Sequence, residues 1–373
     1  MSKPLGIGVI GCGNISAAYM RLAPMFSGIE MRACADLAAE AAHARATEFG
    51  LRADTIDGLL AADDIDIVVN LTIPAAHFKV SRQILDAGKH VYSEKPFVLS
   101  REEGAELARI AAEKSRRVGS APDTFLGGAH QLARHLVDSA AVGRITSGTC
   151  FVQSPGMEMW HPNPDFFFQP GGGPILDLGP YYLSNLVQLL GPVKRVCAMS
   201  SSASEYRTIT SQPRAGERVK VKTPTTIHAV MQFHSGAQIT YCASWDVWQH
   251  GHSNMELYGT SGTLHVPDPN FFGGEVRMTQ KDSFTNGTPA WPHPFGRINE
   301  GARANYRAAG LADMAQAILN DRPHRCALEF ALHVVDVMTS ILASGETGQF
   351  VEIETTCDRP AALGIDDAHR LLA

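Results

Sequence analysis

The chain has 373 residues, of which 45% are hydrophobic and 19% charged, and its formal net charge is -6. This length suits two globular domains, the negative charge does not indicate a nucleic-acid partner, and no apolar run approaches the ~20 residues that span a bilayer. Seven scattered cysteines without C-x-x-C spacing, and histidines without H-E-x-x-H spacing, indicate neither a disulfide framework nor a metal site.

The N-terminal stretch combines a strand, a glycine-rich turn and a helix. Residues 7–10 form a short apolar run typical of a buried parallel strand. A G-x-G-x-x-S pattern occupies residues 11–16, and residues 17–22 can form a helix. Gly11 permits a tight turn, Gly13 lets the backbone approach a pyrophosphate, and the helix N-terminus offers free N–H groups to phosphate. This context predicts a dinucleotide site, and the alternative is a structural turn without a ligand.

The second predicted strand, residues 31–35, ends at Asp36. An acidic residue there can accept a hydrogen bond from a ribose 2′-OH and repels a 2′-phosphate, which favours NAD over NADP. The alternative is an ordinary helix-capping aspartate. Met1-Ser-Lys-Pro runs directly into the first strand, so that no signal peptide is predicted and we expect a cytoplasmic protein.

Helices and strands alternate through the rest of the N-terminal part. The pattern predicts helices over 37–49, 55–60, 80–87 and 102–114, and strands over 65–70, 90–93 and 117–120. Such alternation predicts a doubly wound parallel sheet. The loop of residues 72–77 and the tripeptide Glu94-Lys95-Pro96 each follow a strand, at the edge where ligands bind in such sheets.

The pattern changes near residue 125. The following part contains predicted strands over 146–152, 193–200, 225–233, 237–245, 254–259 and 262–266, and predicted helices over 129–139, 177–190, 302–319 and 328–343. Close spacing and short turns predict antiparallel hairpins. We therefore predict an N-terminal α/β domain, residues 1–125, and an α+β domain with a mainly antiparallel sheet, residues 126–373.

Three residues are candidates for catalysis. Lys95 follows a strand on the ligand side of the sheet and can contact both nicotinamide and substrate, although a surface lysine is the common alternative. Asp177 and Tyr181 are four residues apart and share one helix face. Pro180 is tolerable only near the first turn of that helix. Three glycines precede it and allow close approach to a ligand, whereas the alternative is a solvated cap followed by a half-buried tyrosine.

Two aromatic segments are candidates for the walls of a sugar pocket. Residues 160–168 are aromatic, stiffened by proline and polar at intervals, and His161 and Asn163 are the favoured substrate contacts. The alternative is a buried loop that fills the core. Residues 245–250 close a strand and can form an opposite wall, with His250 as a further candidate ligand.

At these motifs the chain resembles the family of glucose–fructose oxidoreductase, inositol dehydrogenase and MocA. The motifs are I-G-V-I-G-C-G-N-I-S at 7–16, T-I-P-A-A-H at 72–77, E-K-P at 94–96 and G-G-G-P-I-L-D-L-G-P-Y at 171–181. The resemblance covers nearly the whole chain. It implies a Rossmann domain followed by a C-terminal domain with an open antiparallel sheet, whose exposed face packs against another subunit in a homodimer or homotetramer.

The resemblance also implies functional residues. Lys95 matches the lysine of the E-K-P motif, and Asp177 with Tyr181 match a D-x-G-x-H/Y pair. Many members have histidine where this chain has Tyr181, so that Tyr181 and Lys95 are rival candidates for the immediate base. The motifs together assign an NAD cofactor to Gly11, Gly13, Asn14, Ile15, Asp36, Thr72, Pro74, His77, Glu94 and Lys95.

The sequence thus predicts an NAD-dependent dehydrogenase or reductase that acts on a secondary alcohol or carbonyl of a sugar, cyclitol or related polyol. The predicted substrate contacts are Lys95, His161, Asn163, Asp177, Tyr181 and His250. Two alternatives stay open: a glycosidase that uses NAD transiently, and a catalytically silent NAD-binding regulator. No metal, nucleic-acid partner or membrane is predicted.

Overall fold

A computed structural model describes residues 3–282, 286–288 and 290–373, so that Met1 and Ser2 of the predicted leaderless N-terminus lie outside the described residues. The chain divides into two compact units. Unit 1 contains the chain up to Gly128 together with Pro292–Leu332 and Pro360–Ala373, and unit 2 contains Ala129–Trp291 and His333–Arg359.

The described helices and strands follow the predicted alternation closely. In chain order the helices are α1 (Asn14–Leu22), α2 (Ala39–Phe49), α3 (Ile56–Ala61), α4 (His77–Asp86), α5 (Arg101–Glu113), α6 (Gly128–Asp138), α7 (Gly173–Leu190), α8 (Ala309–Leu319), α9 (Leu328–Thr347) and α10 (Ile365–Leu371). The strands are β1 (Leu5–Ile10), β2 (Ile29–Ala35), β3 (Arg52–Asp54), β4 (Ile67–Asn70), β5 (His90–Ser93), β6 (Val118–Ser120), β7 (Ile145–Gln153), β8 (Val193–Ser201), β9 (Tyr206–Thr208), β10 (Arg218–Lys220), β11 (Thr226–Phe233), β12 (Gln238–Ser244), β13 (Met255–Gly259), β14 (Gly262–Val266), β15 (Arg277–Gln280), β16 (Asn286–Gly287) and β17 (Val351–Glu352).

Unit 1 is built on a six-stranded parallel sheet in the order β3-β2-β1-β4-β5-β6. Its order reverses between β1 and β4, which is the switch point of a doubly wound fold, where ligands bind outside the carboxyl ends of the strands. Ile7 and Val9 are fully buried, and so are all residues of β4, as expected of a parallel sheet covered on both faces. The predicted Rossmann domain is therefore confirmed.

Local signals in the sequence set the ends of several helices of unit 1. Thr55 caps α3 because its hydroxyl accepts the Gly58 N–H at 3.0 Å, and Ser100 caps α5 by accepting the Glu103 N–H at 3.2 Å. Gly50 ends α2 with a φ of +67°, a left-handed conformation that glycine adopts without steric cost.

Two later segments of the chain return to unit 1, although the sequence-based division placed everything after residue 125 in the second domain. The returning chain covers the edge strand β6. Gly119 forms an antiparallel bridge with Ala327, and the Ser120 N–H donates to the Cys326 carbonyl at 3.0 Å. An uncovered edge strand exposes unpaired backbone groups, so this long-range pairing satisfies them.

Unit 2 contains a nine-stranded sheet in the order β16-β15-β14-β13-β7-β12-β11-β8-β17. The β7–β12 pair is parallel, and the other neighbouring strands are antiparallel. The sheet is thus mixed but mainly antiparallel, as predicted. Helix α7 packs against β7, β11 and β12. The opposite face, which we call the outer face, exposes Met199 by 77% and Val230 by 48%.

The helix that carries Asp177 starts earlier than predicted. Helix α7 begins at Gly173, so that Pro180 lies inside the helix and not in its first turn. Proline has no backbone N–H, so the Leu176 carbonyl lacks the usual intrahelical donor four residues later. Most of α7 is buried, and its packing outweighs this local cost.

Helix α9 is long and apolar enough to cross a membrane by length and composition alone. In the structure, 67% of its apolar window is buried, as in the core helix of a soluble protein. The helix also carries His333 and Asp336, which are both buried. His333 accepts the Val193 N–H at its Nε2 at 2.9 Å, and Asp336 accepts the Thr355 N–H at 2.8 Å. Helix α9 therefore gives only weak evidence for a membrane span.

Candidate active site

The glycine-rich loop links β1 to α1 at the carboxyl edge of the parallel sheet. Gly11 has a φ of +103°, and a Cβ there would lie 2.6 Å from the Leu71 backbone, so that only glycine fits. A Cβ at Gly13 would meet no protein atom within 4 Å. Packing within the chain therefore does not require glycine at this position, and the open space beside it suits the close approach of a ligand to the backbone.

Helix α1 begins directly after Gly13, with Asn14 and Ile15 as its first two residues. No side chain caps this N-terminus, so its backbone N–H groups and dipole are suited to an anionic ligand. Ser16 is fully buried and donates its hydroxyl to the Gly13 carbonyl at 2.6 Å. The small side chain thus lets the helix pack closely, in the role predicted for the last position of the motif.

Asp36 lies at the end of β2, beside the glycine-rich loop. Its Oδ2 accepts the Cys12 N–H at 2.7 Å, and its Oδ1 accepts the Ala38 N–H at 2.9 Å. The neighbouring Leu37 is 94% exposed. The structure therefore fixes a half-buried carboxylate next to Gly13, where the sequence predicts the adenosine ribose.

The loop of residues 72–77 follows β4. Thr72 donates its hydroxyl to Asn70 Oδ1 at 2.7 Å, and Pro74 starts a short 3-10 helix. His77 is buried, with its Nδ1 2.7 Å from the Pro96 carbonyl and its Nε2 2.9 Å from the Thr72 carbonyl. Burial lowers the pKa of His77, and a neutral ring can donate to only one of these two carbonyls. The structure thus gives His77 a role in holding the loops that follow β4 and β5.

Glu94 anchors the residue that follows it. It is 7% exposed and accepts the Lys95 N–H at its Oε2 at 3.0 Å. Its Oε1 accepts the Tyr19 hydroxyl at 2.9 Å and Arg307 Nη1 at 3.0 Å. Burial opposes ionisation, but the charges of Arg307 and Lys95 hold the pKa of Glu94 below its ordinary value. Glu94 is therefore a carboxylate that fixes the backbone of Lys95.

The sequence did not indicate Tyr19 or Arg307 as parts of this arrangement. Tyr19 lies on α1, and Arg307 lies in the segment that returns to unit 1. Neither residue belongs to a recognisable motif, and their contacts join positions 75 and 213 residues apart. No local signal in the sequence predicts such contacts.

The remaining predicted residues lie in unit 2. Asp177 is half-buried and Tyr181 is 6% exposed, one helical turn apart on α7. The backbone of the preceding loop is closely packed, because a Cβ at Gly172 would lie 2.5 Å from the Phe167 carbonyl oxygen. The glycine-rich loop of unit 2 is thus held against the aromatic segment that precedes it.

The aromatic segment combines a buried part and an exposed part. Phe167 and Phe168 pack with Trp245 in a buried cluster, which matches the core-filling alternative for these two residues. His161 is half-buried and packs edge-on against Phe167 at 5.2 Å, while its Nδ1 accepts the Asn163 N–H at 3.1 Å. Asn163 is exposed. The structure therefore brings His161 and Asn163 together on a segment that is anchored by the buried Phe167 and Phe168.

His250 lies beside the outer face of the sheet. Its ring is 6.0 Å from the ring of His252, which stacks on Phe151 at 4.1 Å. Phe151 points away from α7, because its neighbour Cys150 is buried on the face that α7 covers. These ring contacts do not test the role of His250 as a substrate ligand, which stays a prediction.

Among the described residues, no group of three or more His, Cys, Asp or Glu side chains is arranged to hold a metal ion. The titratable groups at the ends of β4 and β5 are instead engaged with backbone groups and with other side chains of unit 1.

Two family profiles match the chain. The profile described as "Oxidoreductase family, NAD-binding Rossmann fold" matches residues 5–121. The profile described as "GFO/IDH/MocA C-terminal domain" matches residues 130–265.

Among related proteins, dTDP-3,4-didehydro-2,6-dideoxy-alpha-D-glucose 3-reductase of Streptomyces violaceoruber is 29% identical over 268 residues, which are 70% of this chain and 72% of that enzyme. The 1,5-anhydro-D-fructose reductase of Ensifer adhaerens is 24% identical over 356 residues, which are 93% of this chain and 98% of that enzyme.

Solved structures share the fold over nearly the whole chain. Levoglucosan dehydrogenase in complex with NADH and levoglucosan has a TM-score of 0.81 and 21% identity, covering 95% of this chain and 100% of that one. A putative NADPH-dependent oxidoreductase from Desulfitobacterium hafniense has a TM-score of 0.77 and 19% identity, covering 94% and 98%. At these identities the likeness shows the fold alone.

Proposed function

Because the chain belongs to the family of glucose–fructose oxidoreductase, inositol dehydrogenase and MocA, whose N-terminal domain is an NAD-binding oxidoreductase domain, we propose that it transfers a hydride between NAD and a sugar-like substrate. The reacting group is a secondary alcohol or carbonyl of a sugar, cyclitol or related polyol. Related proteins named as sugar reductases and dehydrogenases support this substrate class.

The position of Asp36, fixed against the glycine-rich loop at Cys12, supports the choice of NAD as cofactor. The Asp36 carboxylate, held by the N–H groups of Cys12 and Ala38, is suited to the two hydroxyls of an adenosine ribose and repels a 2′-phosphate. The Gly13 backbone and the uncapped start of α1 suit the pyrophosphate. These features support NAD as the preferred cofactor.

When bound, the nicotinamide supplies hydride acceptance or donation. The chain must then orient the substrate carbon and move the hydroxyl proton. We assign proton transfer to Lys95 of unit 1 and Tyr181 of unit 2, with Tyr181 as the immediate base and Lys95 as its rival. Asp177 orients the substrate hydroxyl, and His161 with Asn163 contacts the sugar.

A screen of sugars, cyclitols and polyols with NAD tests the proposal through the accumulation of NADH. The proposal predicts that at least one alcohol yields NADH and the corresponding carbonyl product. Cleavage of a glycoside without accumulated NADH would favour the glycosidase alternative. Tight NADH binding without turnover of any panel member would favour the silent regulator.

A further inference from the structure

Arg307 reaches the E-K-P motif from a distant part of the chain. It lies in the segment that returns to unit 1, and its Nη1 donates to Glu94 Oε1 at 3.0 Å. Its guanidinium carbon lies 5.8 Å from the centre of the Tyr19 ring. The side chains of Arg307 and Glu94 are only 15% and 9% exposed, so the pair is shielded from bulk water. Such a charge-assisted contact is stronger than a surface ion pair.

The backbone around Arg307 is held on both sides. The Arg307 N–H donates to Asn305 Oδ1 at 3.3 Å. On the other side, Asp123 Oδ2 accepts the Gly310 N–H at 3.1 Å and thereby caps α8, whose own N-cap residue, Ala308, offers no side-chain cap. Ala308 is fully buried and has a φ of +83°. A non-glycine residue persists in this conformation only where surrounding contacts fix it, so the backbone next to Arg307 is held by its surroundings.

Two buried carboxylates and two cations meet at this edge of unit 1. Burial raises the pKa of Asp123 to about 6, and the charge of Arg307 opposes that rise. Glu94 is balanced by Arg307 first and Lys95 second. Without Arg307, Lys95 would be the main cation beside the Glu94 carboxylate, and its ammonium form would be favoured.

We propose that Arg307 is a positioning residue for Lys95, acting through Glu94. The guanidinium holds Glu94 Oε1, and the other oxygen, Oε2, holds the Lys95 N–H. Arg307 thereby fixes the backbone from which the Lys95 amine projects, and it draws the charge of Glu94 away from that amine. The inference deepens the proposed function, on which it rests for the catalytic role of Lys95.

The test measures the reactivity of Lys95 itself and needs no substrate. The whole protein is acetylated with a limiting amount of acetic anhydride across a pH series, and peptide mass spectrometry reports the modification of Lys95. The exposed Lys79 of the same unit is the internal reference. Arg307→Met should move the half-maximal pH of Lys95 upward by about one unit, because removal of a neighbouring cation shifts a pKa by that order.

Three further variants complete the test. Arg307→Lys restores one cation and should return the Lys95 profile most of the way to wild type. Glu94→Gln removes the opposing charge and should move the profile to lower pH. Arg109→Met removes an exposed guanidinium–carboxylate pair with Glu113 in the same unit and should leave the profile unchanged.

A wild-type Lys95 profile in folded Arg307→Met would overturn the proposal. If that variant does not fold, Arg307→Gln takes its place, and an unshifted profile in Arg307→Gln or in Glu94→Gln overturns it equally. An upward shift that Arg307→Lys fails to reduce would contradict the charge-based role. A sugar screen without any NADH would refute the proposed function, yet it would leave the acetylation result standing, so the two failures are distinguishable.

Discussion

Asp36 accepts the backbone N–H of Cys12 at 2.7 Å, which couples the end of β2 to the glycine-rich loop after β1. The contact joins residues 24 positions apart and fixes a carboxylate at the switch point of the parallel sheet. The same side chain therefore shapes the loop and sets the charge that a bound dinucleotide meets.

Replacement of Asp36 should change the choice of cofactor. Asp36→Asn removes the negative charge and keeps one oxygen for a backbone N–H. We expect NADH binding to weaken about 10–100-fold, because a hydrogen bond to a charged group contributes about 1.5–3 kcal/mol, and NADPH binding to improve. Fluorescence titration of both cofactors checks this expectation. Wild-type protein that binds NADPH as tightly as NADH would contradict the role of Asp36.

Two variants distinguish whether Tyr181 or Lys95 is the immediate base. Tyr181→Phe removes only a hydroxyl and should lower turnover by about 10²–10⁴-fold, the usual contribution of general acid–base catalysis, while NADH binding stays nearly unchanged. Lys95→Met should lower turnover as strongly. Steady-state rates and cofactor titrations on both variants check this. If Tyr181→Phe keeps most of its activity and Lys95→Met does not, Lys95 is the base and Tyr181 only a pocket wall.

Much of unit 1 could be predicted from local patterns. These patterns each predict the structure of the few residues around them, and the structure places them as expected. They are the apolar run before Gly11, the glycine spacing and the acidic residue at the end of β2. The strands that the sequence did not predict are short, or they form only by pairing with distant parts of the chain. Strand β3 has only three residues, and its pairing with β2 defines it.

Residues of the site could be predicted only where they belong to a short local motif. Glu94 and Lys95 follow a strand in a recognisable tripeptide, whereas Arg307 reaches them through a contact 213 residues away. Likewise, sequence alone placed His250 near Trp245 but not on a side of the sheet. Stacking of His252 on Phe151 decides that side, and such packing has no signature in a single sequence.

The outer face of the unit 2 sheet should form an interface between two copies of the chain. Met199 and Val230 are 77% and 48% exposed on that face, and exposed apolar patches mark interaction surfaces. Light scattering should therefore show a dimer or tetramer, and Met199→Asp combined with Val230→Asp should shift the mass toward the monomer. Ile298→Asp, at a 68% exposed apolar residue of unit 1, is the control. A wild-type monomer at micromolar concentration would contradict this assembly.

His130 should make unit 2 sensitive to acid. It is fully buried, its Nε2 lies 2.8 Å from the Phe271 carbonyl, and its Nδ1 has no partner among the described residues. Burial lowers the pKa of His130 to about 4. Between about pH 6.5 and pH 4 the unfolded state then binds more protons than the folded state, so the free energy of unfolding falls as the pH falls.

The size of this effect follows from the shift in the pKa of His130. The lowering of the pKa of His130 from 6.5 to about 4 corresponds to a loss of roughly 3 kcal/mol in the free energy of unfolding. This loss is nearly complete at about pH 4 and absent above about pH 6.5. His130→Gln can still donate to the Phe271 carbonyl but does not titrate. Urea unfolding of both proteins at several pH values should show a flatter dependence for the variant. Parallel curves would mean that His130 does not contribute.

Isotope labelling of one hydrogen atom of the substrate tests the proposed hydride transfer directly. The best alcohol of the sugar panel, deuterated at the carbon that bears the reacting hydroxyl, is converted in a single turnover with excess enzyme and NAD. Hydride transfer to NAD predicts one deuterium at C4 of the reduced nicotinamide for each carbonyl product formed. Product formation with the cofactor recovered as unlabelled NAD would contradict net hydride transfer.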